Sequence, residues 1–204
     1  MTEYEKMLKG MIYDSTDEEI FLKRSTAHKL SFDYNMIRDE NDSRRQEIIS
    51  KLIPNNKGIY LQGPIYFDYG VNTSFGSNCY ANFNFTVLDT CPVTIGNNVF
   101  FGPNVSIVTP VHPLIAKERE MFKNNKGLIT DNEYAKPIVI KDDCWIASSV
   151  TICGGVTIGK GVVIGAGSVV IKDIEDGVFA AGNPCKAIRR ITEEDSIFLK
   201  KGLF

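Results

Sequence analysis

The apolar residues of this chain follow one spacing near its start and another over the rest. Up to residue 57 they recur three or four positions apart, as on one face of a helix, and this stretch is rich in charge. Ser15 and Thr16, followed by three acidic residues, are typical of a helix start, because a hydroxyl caps the first turn and acids favour its positive end. The pattern predicts an N-terminal helical segment, residues 1–57, of two or three amphipathic helices.

From residue 58 to residue 190 the pattern changes, and runs of aliphatic residues recur at every sixth position. The plainest series is Ile140, Ile146, Ile152, Ile158, Ile164 and Val170, and an earlier one is Ile95, Phe101 and Ile107. Neither a helix nor an ordinary strand has a period of six, whereas a short strand with a tight corner does, and three such units close one triangular coil. The period predicts a β-solenoid with an aliphatic core, because the strands of a sandwich, the alternative, keep no six-residue register.

Residues 109–136 interrupt this register. They contain Pro110, Pro113 and the charged run 117–120, which a coil cannot accommodate, so we expect an extruded loop. Long loops in a regular scaffold usually carry function. The repeat ends after Lys172, and we expect residues 191–204 to form a short helical cap at the C-terminus.

Composition narrows the functional classes. The chain has 23 Lys and Arg against 25 Asp and Glu, a net charge of -2, which argues against a nucleic-acid partner. No apolar run is long enough to span a membrane, and the first residues do not resemble a secretory signal. The five cysteines are scattered without a CxxC pair, as expected of reduced thiols, and we expect a cytoplasmic protein.

A set of short motifs along the repeat carries a family resemblance. They are Tyr80-Ala81-Asn82-Phe83-Asn84, Pro92-Val93-Thr94-Ile95-Gly96, Phe101-Gly102-Pro103-Asn104-Val105, His112-Pro113, Glu133-Tyr134, Trp145-Ile146 and Ala181-Gly182-Asn183-Pro184. Together they resemble the maltose and galactoside O-acetyltransferases, a subfamily of the hexapeptide-repeat acyltransferases. The resemblance implies a mainly β fold, a left-handed parallel β-helix, although ordinary parallel crossovers are right-handed. It also implies a homotrimer with sites between subunits, and acetyl transfer from acetyl-CoA to a sugar.

The resemblance makes His112 the catalytic base. A sugar hydroxyl must lose its proton as it attacks a thioester, and a neutral imidazole is suited to accept that proton. The other histidine, His28, falls in a predicted helix and is expected at the surface. Asn82 could stabilise the oxyanion. Glu133 either fixes the imidazole tautomer or is a solvated loop acid. Transfer is expected to be direct, without a covalent acetyl-enzyme.

The remaining site residues also follow from the resemblance. Sugar contacts are expected from Asp14, Asp68, Tyr80, Asn82 and Asp89, each acid being otherwise a surface or corner residue. Galactoside enzymes tend to have Ser at the place of Asp68 and an acid at the place of Thr90, so the chain favours the maltose or glucose type and transfer to a 6-hydroxyl. Coenzyme A is expected to contact Trp145, Ser148, Ala166, Ile171, Lys172, Lys186 and Arg189.

Three other functions share this repeat. One is acetyl transfer to an antibiotic or amine, and another is a scaffold without catalysis. The third, a γ-type carbonic anhydrase, needs three histidine ligands for its metal, and the chain has two histidines in all, so no metal is expected.

Overall fold

The structure, a computed structural model, describes residues 1–38, 42–200 and 202–203. Three helices come first, α1 (Glu3–Leu8), α2 (Glu18–Asn35) and α3 (Asp42–Leu52). Thr2 and Glu5 close a capping box on α1, and the N-cap of α2 is Asp17. The predicted start at Ser15 is therefore two residues early, because the carboxylate of Asp17 accepts the orphan amide of Glu19. No helix in the described part of the chain is long and apolar enough to cross a membrane.

The rest of the chain is a stack of very short strands. In chain order they are β1 (Asn55–Asn56), β2 (Ile59–Leu61), β3 (Ile65–Phe67), β4 (Thr73–Phe75), β5 (Cys79–Ala81), β6 (Phe85–Leu88), β7 (Val93–Ile95), β8 (Phe100–Phe101), β9 (Ser106–Val108), β10 (Pro110–Val111), β11 (Phe122–Lys123), β12 (Ile129–Thr130), β13 (Tyr134–Ala135), β14 (Ile138–Ile140), β15 (Trp145–Ile146), β16 (Thr151–Cys153), β17 (Thr157–Ile158), β18 (Val163–Ile164), β19 (Val169–Val170), β20 (Val178–Gly182) and β21 (Cys185–Arg190).

These strands form the three faces of a triangular solenoid. The first sheet has the order β1-β4-β7-β14-β17, the second β2-β5-β8-β15-β18-β20-β21, and the third β3-β6-β9-β16-β19. Neighbouring strands are parallel except β20 and β21, which pair antiparallel. The predicted β-solenoid is confirmed, and its core is the column of inward aliphatic and aromatic side chains, such as Phe85, Phe101 and Ile146. Each buried Ile contributes roughly 1.5–3 kcal/mol through the hydrophobic effect.

Two of the three corners keep the same left-handed backbone conformation from coil to coil. The first corner, between the first and second sheets, carries positive φ at Asn78, Asn98, Asp143 and Gly161, and the second corner, between the second and third sheets, at Asn84, Asn104, Ser149 and Gly167. Glycine and asparagine adopt this left-handed conformation at the lowest cost. The side chains also bond up the stack, with Asn84 Nδ2 donating to Asn104 Oδ1 at 2.9 Å.

The third corner, which leads from the third sheet to the next coil, is irregular. In the early coils it holds two residues more than the other corners, so that Tyr60, Tyr80 and Phe100 pair at intervals of 20 residues whereas Trp145 and Val163 pair at 18. Residues 109–137 lie between β9 and β14 there, where a loop of residues 109–136 was expected, and form two small hairpins, β10 with β13 and β11 with β12. This corner is therefore the place where the fold can carry irregular polar structure.

The C-terminal end differs from the expectation of a helical cap. Strand β21 folds back on β20, with Arg190 opposite Val178, and covers the last coil. Helical structure in the described residues beyond 190 is limited to short 3₁₀ turns at Glu193–Asp195 and Ile197–Leu199. The carboxylate of Asp195 accepts the Thr192 amide and the Arg189 guanidinium, which ties the first turn back to the end of β21.

Candidate active site

His112 stands at the base of the extruded loop. It directly follows β10, whose pairing with β13 fixes the loop's exit, and its side chain is about half exposed. Its Nδ1 lies 3.4 Å from Oδ2 of Asp131, on the returning arm of the same loop. A carboxylate beside Nδ1 favours the tautomer that leaves the lone pair on Nε2. The imidazole is thus oriented and open to solvent, as a base acting on a bound hydroxyl requires.

Glu133, the residue expected to orient His112, has a different hydrogen-bond partner. The chain segment around Tyr13 bridges to Glu133, and the Tyr13 hydroxyl donates to the Glu133 carboxylate. Burial raises the pKa of Glu133, while the bond from Tyr13 and the attraction of His112 oppose the rise. In this structure the carboxylate paired with His112 is therefore Asp131, and Glu133 belongs to the layer behind it.

That layer ties the helical segment to the third corner. Tyr13 and Tyr69 are almost fully buried there, and burial raises the pKa of each phenol. Arg24, from α2, bonds to the Tyr69 hydroxyl, and the charge of Asp68 acts on both Tyr69 and Glu133. The aromatic pair and its charged neighbours hold the base of the loop against the solenoid.

Asp14 holds the loop itself. Its carboxylate accepts the Thr16 amide at 3.0 Å and the Thr16 hydroxyl at 2.7 Å, and Asn124 of the loop donates to its other oxygen at 2.7 Å. Burial raises the pKa of Asp14, but these bonds outweigh it and the pKa is lowered. A cavity of about 260 Å³ has Tyr13, Asp14 and Asp131 in its wall. Asp14 thus faces the same space as the partner of His112.

The other two predicted acids, Asp68 and Asp89, differ in their exposure to solvent. Asp68 is partly exposed and lies 3.3 Å from His28 Nε2. Asp89 is fully buried, with its oxygens accepting the Tyr69 amide at 2.8 Å and the Thr73 hydroxyl at 2.9 Å. The expected sugar contact of Asp89 is therefore wrong for this fold, because a side chain 0% exposed cannot reach a ligand. Asp89 is a structural acid of the third corner.

Asn82 and the aromatic residues lie along a different edge. Tyr80, Asn82, Phe100, Phe101, Gly102 and Trp145 line a cavity of about 430 Å³. Tyr60 stacks on Tyr80 with ring centroids 6.0 Å apart, and Phe100 and Trp145 continue this outward row along the second sheet. The side-chain oxygen Oδ1 of Asn82 accepts a hydrogen bond from the backbone amide of Phe83 at 2.7 Å, which fixes the orientation of the Asn82 side chain.

The residues expected to hold coenzyme A run from this row toward the C-terminal end. Ser148 and Ala166 lie in successive turns of the second corner, and Ile171 and Lys172 follow β19. A Cβ at Gly102 would come within 2.7 Å of the Ser148 amide, so adjacent coils touch here. Lys186 and Arg189 are exposed on β21, and the Arg189 guanidinium is already paired with Asp195 at 2.7 and 2.8 Å. Arg189 would have to give up this partner to meet a phosphate.

One chain does not bring the two groups of residues together. His112, Asp131 and Asp68 belong to the third corner, whereas Asn82, Ser148 and Ala166 belong to the second. The third sheet separates the two edges along the whole solenoid.

Sequence reasoning missed the contributions of Asp131, Tyr13 and Arg24. Asp131 had a usable signal, because the partner of a residue leaving the coil at 112 should lie on the returning arm just before β13. Tyr13 and Arg24 had none, since their contacts with residues 69 and 133 depend on how the helices dock.

Burial raises the pKa of all five cysteine thiols, which keeps them protonated. Burial raises the pKa of the Cys91 and Cys144 thiols to about 11. Within residues 1–38, 42–200 and 202–203, no group of three His, Cys, Asp or Glu side chains has the geometry to hold a metal ion.

The chain is similar to known acetyltransferases over nearly its whole length. Residues 6–55 match the maltose acetyltransferase hexapeptide capping motif, residues 92–112 a hexapeptide repeat of succinyl-transferase, and residues 137–172 the bacterial transferase hexapeptide. The galactoside O-acetyltransferase of Escherichia coli K12 is 37% identical, over 97% of this chain and 93% of its own. The crystal structure of a maltose O-acetyltransferase from Clostridium difficile 630 is 41% identical with a TM-score of 0.86, covering 95% of this chain and 99% of that one. A galactoside acetyltransferase in complex with coenzyme A is 36% identical with a TM-score of 0.83, covering 96% and 94%.

Proposed function

This chain belongs to the hexapeptide-repeat acetyltransferases of the maltose and galactoside type, and we propose that it transfers acetyl from acetyl-CoA to a sugar hydroxyl, with His112 as the base. The observation that carries the proposal is the exposed imidazole of His112 paired through Nδ1 with Asp131. With Nδ1 occupied by the Asp131 carboxylate, Nε2 is the atom that can accept a proton.

The proposed reaction is a direct transfer. His112 Nε2 takes the proton of the sugar hydroxyl, and the oxygen attacks the thioester carbonyl. The C–S bond then breaks, and the departing thiolate of coenzyme A takes the proton back from the imidazolium. The amide of Asn82 donates to the carbonyl oxygen as charge develops there. The raised pKa of the buried thiols supports a mechanism without an acetyl-cysteine.

This mechanism needs two copies of the chain. Asn82 and the aromatic row lie at the second corner and second sheet, His112 and Asp131 at the third corner, and a site containing both forms where the edges of neighbouring copies meet. We propose a homotrimer with sites between subunits, as the family resemblance implies, since a closed head-to-tail ring gives each chain both kinds of neighbour. Trp145, Ser148, Ala166 and the cations Lys172, Lys186 and Arg189 would hold acetyl-CoA beside Asn82.

The acceptor is proposed to be of the maltose or glucose type. Asp68 at the third corner adds a carboxylate whose charge acts on Glu133, and a carboxylate accepts two neighbouring sugar hydroxyls at once. Asp14 faces the cavity that also holds Asp131. A primary 6-hydroxyl is the least hindered hydroxyl that a sugar bound along this wall would present to His112.

The test is acceptor-dependent release of free thiol from acetyl-CoA with maltose, glucose and a galactoside. His112→Ala is assayed beside the wild type, and Lys117→Ala, an exposed change in the same loop, is the control. We expect release with maltose or glucose that Lys117→Ala retains and His112→Ala loses while still binding acetyl-CoA. Release that persists in His112→Ala would refute its role, and release only with amines would refute the sugar acceptor.

A further inference from the structure

A groove between α2 and the third sheet opens beside the candidate active site. It measures about 310 Å³, and Phe32 of α2 and Tyr66 of β3 form its aromatic walls. Its size is at the lower end of the roughly 300–1,000 Å³ that small-molecule sites occupy. Phe32 is 64% exposed and Tyr66 50%, which is unusual for large aromatic side chains that stand on facing elements. The groove is therefore a built concavity with apolar sides.

Polar groups sit at the floor and the mouth of this groove. Ser31 is only 4% exposed, lines the groove, and its Oγ has no hydrogen-bond partner among the described residues. A buried hydroxyl without a partner costs free energy, so the arrangement suits a ligand that supplies one. At the mouth, His28 and Asp68 are joined at 3.3 Å across 40 residues of chain.

The groove and the catalytic corner share one residue. Asp68 lines the groove and also acts electrostatically on Glu133, which His112 in turn attracts. A molecule with one unit at His112 could extend past Asp68 into the groove without leaving the protein surface. The neighbour of the reacting unit would then meet two aromatic faces, a hydroxyl and an imidazole.

We infer that the groove binds the second pyranose ring of a glycoside acceptor, and that His28, Ser31 and Phe32 determine the preference for a disaccharide over a monosaccharide. This inference rests on the proposed acetyl transfer to sugars. A pyranose has an apolar face of C–H groups and an edge of hydroxyls, and the groove offers aromatic faces to the former and Ser31, His28 and Asp68 to the latter. His28, expected to be an idle surface residue, then gains a role through its pairing with Asp68.

The test compares kcat/KM for maltose, glucose and phenyl glucoside in Ser31→Ala, His28→Ala and Phe32→Ala. Phe21→Ala, also an exposed aromatic of α2 but away from the groove, is the matched control. Ser31→Ala and Phe32→Ala are each expected to lower kcat/KM for maltose about tenfold, the loss of one stacking or hydrogen-bonding contact, and to leave glucose unchanged. His28→Ala also removes the partner of Asp68 and is expected to lower kcat/KM for maltose more than for glucose. Phe21→Ala should change none of the three.

Four results would overturn the inference. Equal losses of kcat/KM for maltose and glucose would mean that the groove residues stabilise the fold or position His112 and do not bind a second ring. Losses on phenyl glucoside alone indicate an apolar aglycone, and no loss on any acceptor leaves the groove without a role. Groove variants that change the oligomeric mass show that another copy of the chain covers the groove.

A calorimetric titration of maltose separates this inference from the proposed function. If the wild type acetylates no sugar, the proposed function fails. Maltose binding that weakens about tenfold in Phe32→Ala and not in Phe21→Ala would still support the groove as a sugar site. No binding of maltose to the wild type would overturn it.

Discussion

The second and third corners of the solenoid lie on either side of one sheet and are built in opposite ways. At the second corner Asn84, Asn104, Ser149 and Gly167 occupy the same left-handed position in four coils. At the third corner each early coil adds two residues, and one coil releases the loop of residues 109–137. Repetition at the second corner keeps the coils in register, and the additions at the third provide room for His112, Asp131 and the docked helices.

The two kinds of corner suit different parts of a functional site. A regular corner offers a straight, shallow surface, suited to an extended ligand that lies along the stack. An irregular corner offers a concave polar wall, because its extra backbone must fold on itself and meet side chains from elsewhere. The candidate mechanism needs both surfaces, and the geometry of a triangular prism prevents one chain from joining them.

The strongest test of this separation is complementation between two inactive variants. Asn82→Ala and His112→Ala should each lose activity as uniform oligomers, the former by roughly 10²–10³ in kcat. Random trimers from an equal mixture should regain about a quarter of wild-type activity, because one site in four receives both intact residues. Unmixed preparations combined without unfolding are the control. A mixture that stays inactive after verified co-assembly would place Asn82 and His112 in the same chain's site or remove one of them from the chemistry.

Ile146→Ala is expected to destabilise the solenoid without lowering kcat. Ile146 is fully buried in the column between Phe101 and Ile164, and loss of such a side chain costs about 2–5 kcal/mol. Urea unfolding should show the loss, whereas kcat at low temperature should remain close to wild type. Thr151→Ala on the outward side of β16 is the comparison and should cost much less. Equal costs for both would mean that the column does not carry the stability.

Asp89→Asn should change how stability depends on pH. Burial raises the pKa of Asp89 to about 6, although bonds from Tyr69 and Thr73 oppose the rise. An acid with a raised pKa stabilises the fold fully below its unfolded pKa near 4, and this contribution disappears as the pH rises through about 6. Relative to the variant, the wild type should lose on the order of 2–3 kcal/mol between pH 4 and pH 7. Parallel stability curves for the two proteins would contradict a buried titrating acid.

Asp131→Asn should separate the two carboxylates near His112. Loss of the Nδ1 partner should lower kcat about tenfold, the equivalent of about 1.4 kcal/mol, with KM for acetyl-CoA unchanged. Glu133 accepts a hydrogen bond from Tyr13, so Glu133→Gln should lower the melting temperature and leave kcat close to wild type. The opposite ranking of the two variants in kcat would restore Glu133 as the residue that orients the base.

Asn104→Ala tests the regular corner with the smallest expected effect. Asn104 has a φ of 60° and accepts a hydrogen bond from Asn84. Alanine in this conformation costs about 1 kcal/mol, while Asn104→Gly should be close to neutral. Thermal unfolding of the pair measures the difference. Equal destabilisation of the alanine and glycine variants would show that the bond from Asn84, and not the backbone conformation, fixes the corner.

The period of six was enough to predict the coil, its core and the position of the extruded loop, because a repeated local unit leaves its spacing in the sequence. The same signal was weaker before residue 109, since the third corner of each early coil adds two residues and shifts the phase. The C-terminal cap was predicted as a short helix, and the antiparallel return of β21 had no period to reveal it.

The repeating architecture and the candidate base were predictable from the amino-acid order, since both depend on residues close together in the chain or on motifs shared with a family. The pairing of Asp131 with His112, the burial of Asp89 and the contact of His28 with Asp68 emerge only in the folded chain. Those relations join residues up to 40 positions apart, and their distances depend on the lengths of the corners and on how α2 docks against the third corner. A local pattern carries no information about that docking, which packing and buried polar bonds fix only once the chain has folded.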